Sequence, residues 1–233
     1  MLIKCASVEF LGTMAIVFAA SVARFFNQQD LLSIGLVQFF LIAALTYSFG
    51  NISGSHFNPF VSLSLTITHQ ITLVNAIVYI VFQILGAIAA GALVYLVIQD
   101  KEGNDQNAIP TILENKRLIS VVLEAISMFI LVYVYNSLHP SKKGPKYIYG
   151  VCFASVYLVC VVAFGFMSGG CLNFLIYFGP GVFLGLGNDG LFYALGHLIG
   201  GVVAGGFYRL FLRKSVIDSD LTDRKEEKKD KVQ

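Results

Sequence analysis

The chain is short of charge: Asp, Glu, Lys and Arg make up 13% of its 233 residues, against 56% hydrophobic residues and a mean hydropathy of +0.74. No charged side chain occurs from Leu31 to Gln99, from Tyr147 to Asn188, or from Gly190 to Tyr208. Runs of that kind exclude a water-soluble globular fold, in which about a quarter of positions carry charge. A helix needs about 20 residues to cross a hydrocarbon core of roughly 30 Å, so these runs hold several spans.

Other absences narrow the chemistry. The four cysteines, Cys5, Cys152, Cys160 and Cys171, have no ligand-like spacing and read as small buried thiols. The apolar runs contain no cluster of His, Cys and carboxylates, and no glycine-rich phosphate loop follows a strand pattern. No metal, no cofactor, no nucleic acid and no enzyme activity is therefore expected. The first apolar run carries Glu9 and lacks a small-residue cleavage site, so it is expected to be a span and not a signal peptide.

What is present is a set of apolar runs bounded by charges, prolines and Asn/Gly clusters. They predict six spans, at about Ala6 to Phe25, Leu31 to Phe49, Val74 to Ile98, Leu118 to Ser137, Tyr147 to Met167 and Gly190 to Leu212. Two further apolar segments, Asn58 to Thr68 and Asn173 to Leu184, are too short to cross and are expected to be re-entrant half-helices or amphipathic loops. Residues 1–212 form one predicted channel-like unit with halves at about 6–98 and 118–212, and 213–233 is a charged tail expected to stay disordered.

The two halves repeat. Glu9, Phe49, Gly50, Ser53, Gly54 and Asn58 recur as Glu124, Phe164, Gly165, Ser168, Gly169 and Asn173, all at an offset of 115. That offset encloses three spans, an odd number, so the second half must enter the membrane inverted relative to the first. Lys4, Lys142, Lys143, Lys146 and the basic tail lie on one side of such a topology, against Arg24, Lys101, Lys116 and Arg117 on the other. Both termini are accordingly expected to be cytoplasmic.

A half-helix that starts at mid-membrane must present its first N–H groups to something polar, and water in a pore serves. Asn58 and Asn173 stand at the expected N-caps, where the side-chain oxygen takes a helix N–H and the amide NH2 is left to donate. Pro59 suits the first helical position. With the halves inverted, two positive helix ends would meet head to head, disfavouring cations and orienting water.

Taken together, Glu9-Phe10-Leu11-Gly12-Thr13, Ser53 to Pro59, Phe178-Gly179-Pro180 and the glycine-rich ending before Tyr208-Arg209 give a chain that resembles the aquaporin and aquaglyceroporin (major intrinsic protein) family from Glu9 to about Leu212. The resemblance implies an all-α membrane fold of six tilted helices and two half-helices, usually a homotetramer with one pore per subunit for water or small neutral solutes. It places Glu9 and Glu124 inside the bundle, holding re-entrant loops. Carboxylates in apolar spans seldom face lipid, which agrees.

The chain also departs from that family. The Asn-Pro-Ala signature reads Asn58-Pro59-Phe60 and Asn173-Phe174-Leu175, so Phe60 and Leu175 replace the small residues at the bore and Phe174 replaces a proline. By the same resemblance the selectivity filter falls on Gln38, Val161, Gly170 and Ile176, and Ile176 stands where the family has an arginine. No Lys or Arg occurs between Lys146 and Arg209, so no nearby cation in the sequence replaces it. The expected constriction is apolar except for Gln38, widened at Gly170 and Val161, and lacks an electrostatic barrier to ions. His56 matches the family's loop pattern and is expected either at the cytoplasmic side of the pore or packing its loop, and Cys171, two residues before Asn173, is expected near the outer vestibule as a target for mercurials. The function this supports is a passive channel of altered selectivity; the rivals are a non-conducting structural or adhesion protein of the same fold, and an alternating-access transporter with broken helices.

Overall fold

The computed structural model describes residues 2–27, 30–99, 105–138 and 148–212. Within them the chain is helical, with no strand: α1 Leu2–Asn27, α2 Leu31–Ser53, α3 Pro59–Ile67, α4 Leu73–Ile98, α5 Arg117–Leu138, α6 Tyr149–Ser168, α7 Phe174–Leu184 and α8 Gly190–Phe207, which runs on into a π-helical turn at Tyr208–Leu212. Six of these are long and apolar enough to cross a membrane, and α3 and α7 are the short pair expected between them. The Lys142, Lys143 and Lys146 segment and the tail from residue 213 lie outside the described residues.

Local chemistry sets the boundaries. Asp30 caps α2, accepting from the Ser33 N–H at 3.0 Å and from the Ser33 hydroxyl. Gly54 and Gly169 end α2 and α6 in the left-handed region, at φ 91° and 81°, and return their N–H groups to Gly50 and Gly165. The Gly-x-x-x-Gly pairs thus recur because both helices stop by the same cap. Pro180 lies inside α7, where it costs one helical hydrogen bond in an element already too short to span.

The two halves pack alike: α1 lies along α4 as α5 lies along α8, and close backbone approach fixes both crossings. A Cβ at Gly86 would sit 2.4 Å from the Phe10 carbonyl oxygen, and one at Gly200 would sit 2.2 Å from that of Ala125. Only glycine permits such contact between helices that share no hydrophobic drive in lipid. Phe10 and Ala125 are 115 residues apart, whereas Gly86 and Gly200 are 114 apart. The repeat therefore slips by one residue between the half-helix and the helix after it.

A continuous core runs through the bundle, gathering Ile16, Ile42, Val61, Met128, Leu131 and Phe153 among others. Outward surfaces such as Leu93, Leu96, Val159, Phe166 and Val203 are apolar and exposed, as a lipid-facing shell requires.

Candidate functional site

Two carboxylates organise the re-entrant loops. Glu9 of α1 accepts the Ser53 hydroxyl at 2.6 Å and the His56 N–H at 3.0 Å on one oxygen, and the Phe57 N–H at 2.7 Å and Gln83 Nε2 at 2.8 Å on the other. Glu124 of α5 accepts the Ser168 hydroxyl at 2.8 Å, the Cys171 N–H at 3.0 Å and the Leu172 N–H at 2.9 Å, and its second oxygen lies 2.7 Å from His197 Nε2. Both acids are fully buried, so these donors are what make their burial tolerable. Sequence reasoning placed the acids here; it missed Gln83 and His197, which sit at the slipped offset of 114 and so fall outside a search at 115.

What the acids hold is a backbone that resists being held. Ser55 and Phe57 take φ of 56° and 49°, and Gly170 and Leu172 match them at 57° and 48°. For side chains other than glycine, such conformations cost of order 1–3 kcal/mol each and persist only when the surroundings over-determine them. Tyrosines add to that: the Tyr79 hydroxyl donates to Ser53 O at 3.1 Å and the Tyr193 hydroxyl to Ser168 O at 2.7 Å.

The loops deliver the two asparagines to one place. Asn58 caps α3 by accepting the Phe60 N–H at 3.0 Å, and Asn173 caps α7 by accepting the Leu175 N–H at 3.2 Å. Each amide then donates across to the other loop, Asn58 Nδ2 to Leu172 O at 2.9 Å and Asn173 Nδ2 to Phe57 O at 2.8 Å. The half-helices therefore meet head to head despite the bulk of Phe60, Phe174 and Leu175. Phe60 turns its ring edge to His197 of α8 at 5.5 Å, Phe174 stacks on Phe178 at 5.6 Å, and Leu175 is buried in the main core.

Of the four positions expected to form a filter, Gly170 lies against Val161, and the side chains of Gln38, Val161 and Ile176 are buried. Gln38 is 1% exposed, with neither amide atom hydrogen-bonded, and Val161 and Ile176 are each 0% exposed. At Gly170 the loop packs directly on α6: a Cβ there would lie 3.1 Å from Val161 Cα and 3.2 Å from Gly165 Cα. Deeper along α6, the Tyr157 hydroxyl lies 3.4 Å from Asn58 Nδ2, and Tyr157 continues an edge-on aromatic series through Phe153 to Tyr135. Nothing in the sequence marked Tyr157 apart from the other aromatics of its span.

Cys171 and His56 are both buried in the loops. The Cys171 thiol is 0% exposed and donates to Asn173 O at 3.2 Å, since the Cys171 N–H on Glu124 turns this stretch inward. His56 is likewise buried, its Nδ1 2.9 Å from the Ser62 hydroxyl and its ring against Tyr79 and Tyr135. It packs the loop. A cation, meanwhile, reaches the region from an unexpected direction: Arg24, at the end of α1, donates from Nη2 to Gly170 O at 2.7 Å. No group of three or more His, Cys, Asp or Glu is placed to hold a metal among the described residues.

Comparison with known proteins gives the same picture from outside. The profile of the family described as major intrinsic protein matches residues 2–208. Aquaporin C of Dictyostelium discoideum is 29% identical over 227 residues, covering 92% of this chain and 83% of that protein. Glycerol uptake facilitator protein-like 6 of Lactiplantibacillus plantarum is 30% identical over 181 residues, covering 76% of this chain and 82% of the relative. Among solved structures, the X-ray structure of the aquaglyceroporin from Plasmodium falciparum superposes with a TM-score of 0.74 at 20% identity, covering 93% of this chain and 99% of that one.

Proposed function

Because the chain belongs to the major intrinsic protein family, we propose that it is a passive transmembrane channel for water or small uncharged solutes. It is an integral multi-pass membrane protein and not an enzyme. The observation that carries the proposal is the crossed pair of asparagines, which aims two helix N-termini at one point inside an apolar bundle. In this reading Gln38, Val161, Gly170 and Ile176 form the constriction, and Ile176 in place of a cation shifts the preference towards neutral solutes over water. Both termini face the cytoplasm, as the Lys/Arg distribution favours, and the subunits assemble as a homotetramer with one bore each.

Stopped-flow flux of water, glycerol and urea through proteoliposomes tests this. The expected result is neutral-solute flux above lipid background that does not saturate; fast water flux with glycerol and urea excluded would refute the solute preference. Ile176→Arg should change the choice among these solutes if Ile176 lines the constriction.

One observation favours a second reading, a non-conducting member of the fold: Gln38, Val161, Ile176 and Tyr157 are all buried. Tyr157→Ala separates the two. Flux that rises in the variant identifies Tyr157 as a movable obstruction in a pore, whereas lipid background from both proteins assigns a structural role.

A further inference from the structure

We propose that Arg24 supplies the cation of the outer constriction, from the first helix of the opposite half of the repeat. The inference rests on the channel reading above. Its ground is geometric. Arg24 is 5% exposed and its Nη2 donates to the carbonyl of Gly170, one of the four constriction positions, 146 residues away in sequence. The same side chain forms part of the wall of a 390 Å³ cavity together with Thr111, Glu114, Gly165 and Gly169. That cavity borders the carboxyl end of α6 at Gly165 and Phe166 and reaches Gly169, the residue before Gly170.

The electrostatics follow from what surrounds the guanidinium. It has five N–H donors and keeps its charge inside proteins. Nε is buried without a partner, and no carboxylate lies within ion-pair distance of the side chain among the described residues. The positive charge is therefore held beside the passage without a counter-ion in contact, where a low-dielectric surrounding lets its field act on an entering ion. Ile176 is fully buried and apolar, and the chain from Tyr147 to Tyr208 holds no Lys or Arg, whereas Arg24 reaches Gly170 directly. Thr111 and Glu114 offer the polar groups that an approaching neutral solute would meet first.

The test is flux of protons and potassium through proteoliposomes, read with an entrapped pH dye and under a diffusion potential, beside glycerol and water flux. Wild type is expected to pass a neutral solute while holding protons and potassium near lipid background. Arg24→Gln should raise the ion leak roughly tenfold or more. Adding Ile176→Arg to Arg24→Gln should lower it again, because the charge is then returned from the half-helix side.

Two outcomes overturn the inference: a folded Arg24→Gln protein whose ion leak equals wild type, or a raised leak that Ile176→Arg leaves unchanged, which would make Arg24 only a support for the Gly170 loop. Should Arg24→Gln not fold, Arg24→Lys serves instead. Its potassium leak should be low at neutral pH and rise as the amine loses its proton under alkaline conditions, while wild type stays flat; a flat profile in the variant overturns the proposal. Absence of every neutral flux in wild type would instead remove the channel reading itself.

Discussion

Glu9 and Glu124 do the same work with different fourth partners. Each takes one serine hydroxyl and two loop N–H groups within 2.6–3.0 Å. The last donor is the Gln83 amide in the first half and the His197 imidazole in the second. Gln83 has a second N–H and donates it to Ser62 at 3.0 Å, whereas the far nitrogen of His197 has no partner. What the loops require is four donors to a buried carboxylate; which side chain supplies the last of them is open. The two halves also enter differently, since Asp30 caps α2 while Ile148 gives α6 no side-chain cap.

The heaviest test of that equivalence removes the acceptor. Glu9→Ala and Glu124→Ala each strand four buried donors at about 1–3 kcal/mol apiece, a sum comparable with the whole stability margin of a typical domain. Both variants are expected to fail to give monodisperse protein on size exclusion, and survival of either one would show that its loop has other means of support. Next in size are Asn58→Ala and Asn173→Ala. Each loses a cap and one cross-loop hydrogen bond, together about 2 kcal/mol. Their thermal unfolding midpoints should fall by similar amounts, and a clear inequality would break the symmetry at the centre of the bundle.

A finer probe exchanges the differing partners. His197→Gln keeps a donor for Glu124 and should change stability by less than about 1 kcal/mol, while Gln83→His forfeits the Ser62 contact and should be the worse of the two. Reversed order in a thermal-shift assay would mean that ring packing, not donor count, sets the preference. Smallest of all is a pH effect confined to α2. The Ser33 hydroxyl and N–H hold the Asp30 carboxyl below its ordinary range. A carboxylate so depressed stabilises the folded state above its unfolded value of about 4 and loses that contribution as pH falls through its lower folded value. Hydrogen exchange at Ser33 should therefore quicken under acid in wild type and show no such step in Asp30→Ala, with the start of α6 indifferent in both.

The architecture was legible because it is written in composition and in a fixed offset. Apolar runs, charge-free except in α1 and α5, marked all six long helices to within a few residues, and Ser53-Gly54 with Asn58, repeated at Ser168-Gly169 with Asn173, marked the half-helices. The centre was less legible. Arg24 sits at the end of a span and counts in sequence only as an outer-side charge, because nothing local reveals that its side chain turns towards Gly170. Tyr157 is one aromatic among many in α6, and its reach to Asn58 depends on how a helix is rotated in the bundle. For His56 the sequence left pore lining and loop packing open, and for Cys171 only its place two residues before Asn173 spoke; the Glu9 and Glu124 hydrogen bonds on their own N–H groups, which hold both in buried loops, have no local signature.

The slip from 115 to 114 carries a historical consequence. If both halves descend from one ancestral segment, a single residue was gained or lost between the half-helix and the following helix, and Gly86, Gly200, Gln83 and His197 all record which side of that event they lie on. The contacts of Gly86 with Phe10 and of Gly200 with Ala125 were preserved across it. Any chimera that exchanges halves should accordingly be aligned on those contacting pairs, since alignment by residue count would rotate the last helix by about 100° and carry its glycines away from the crossing.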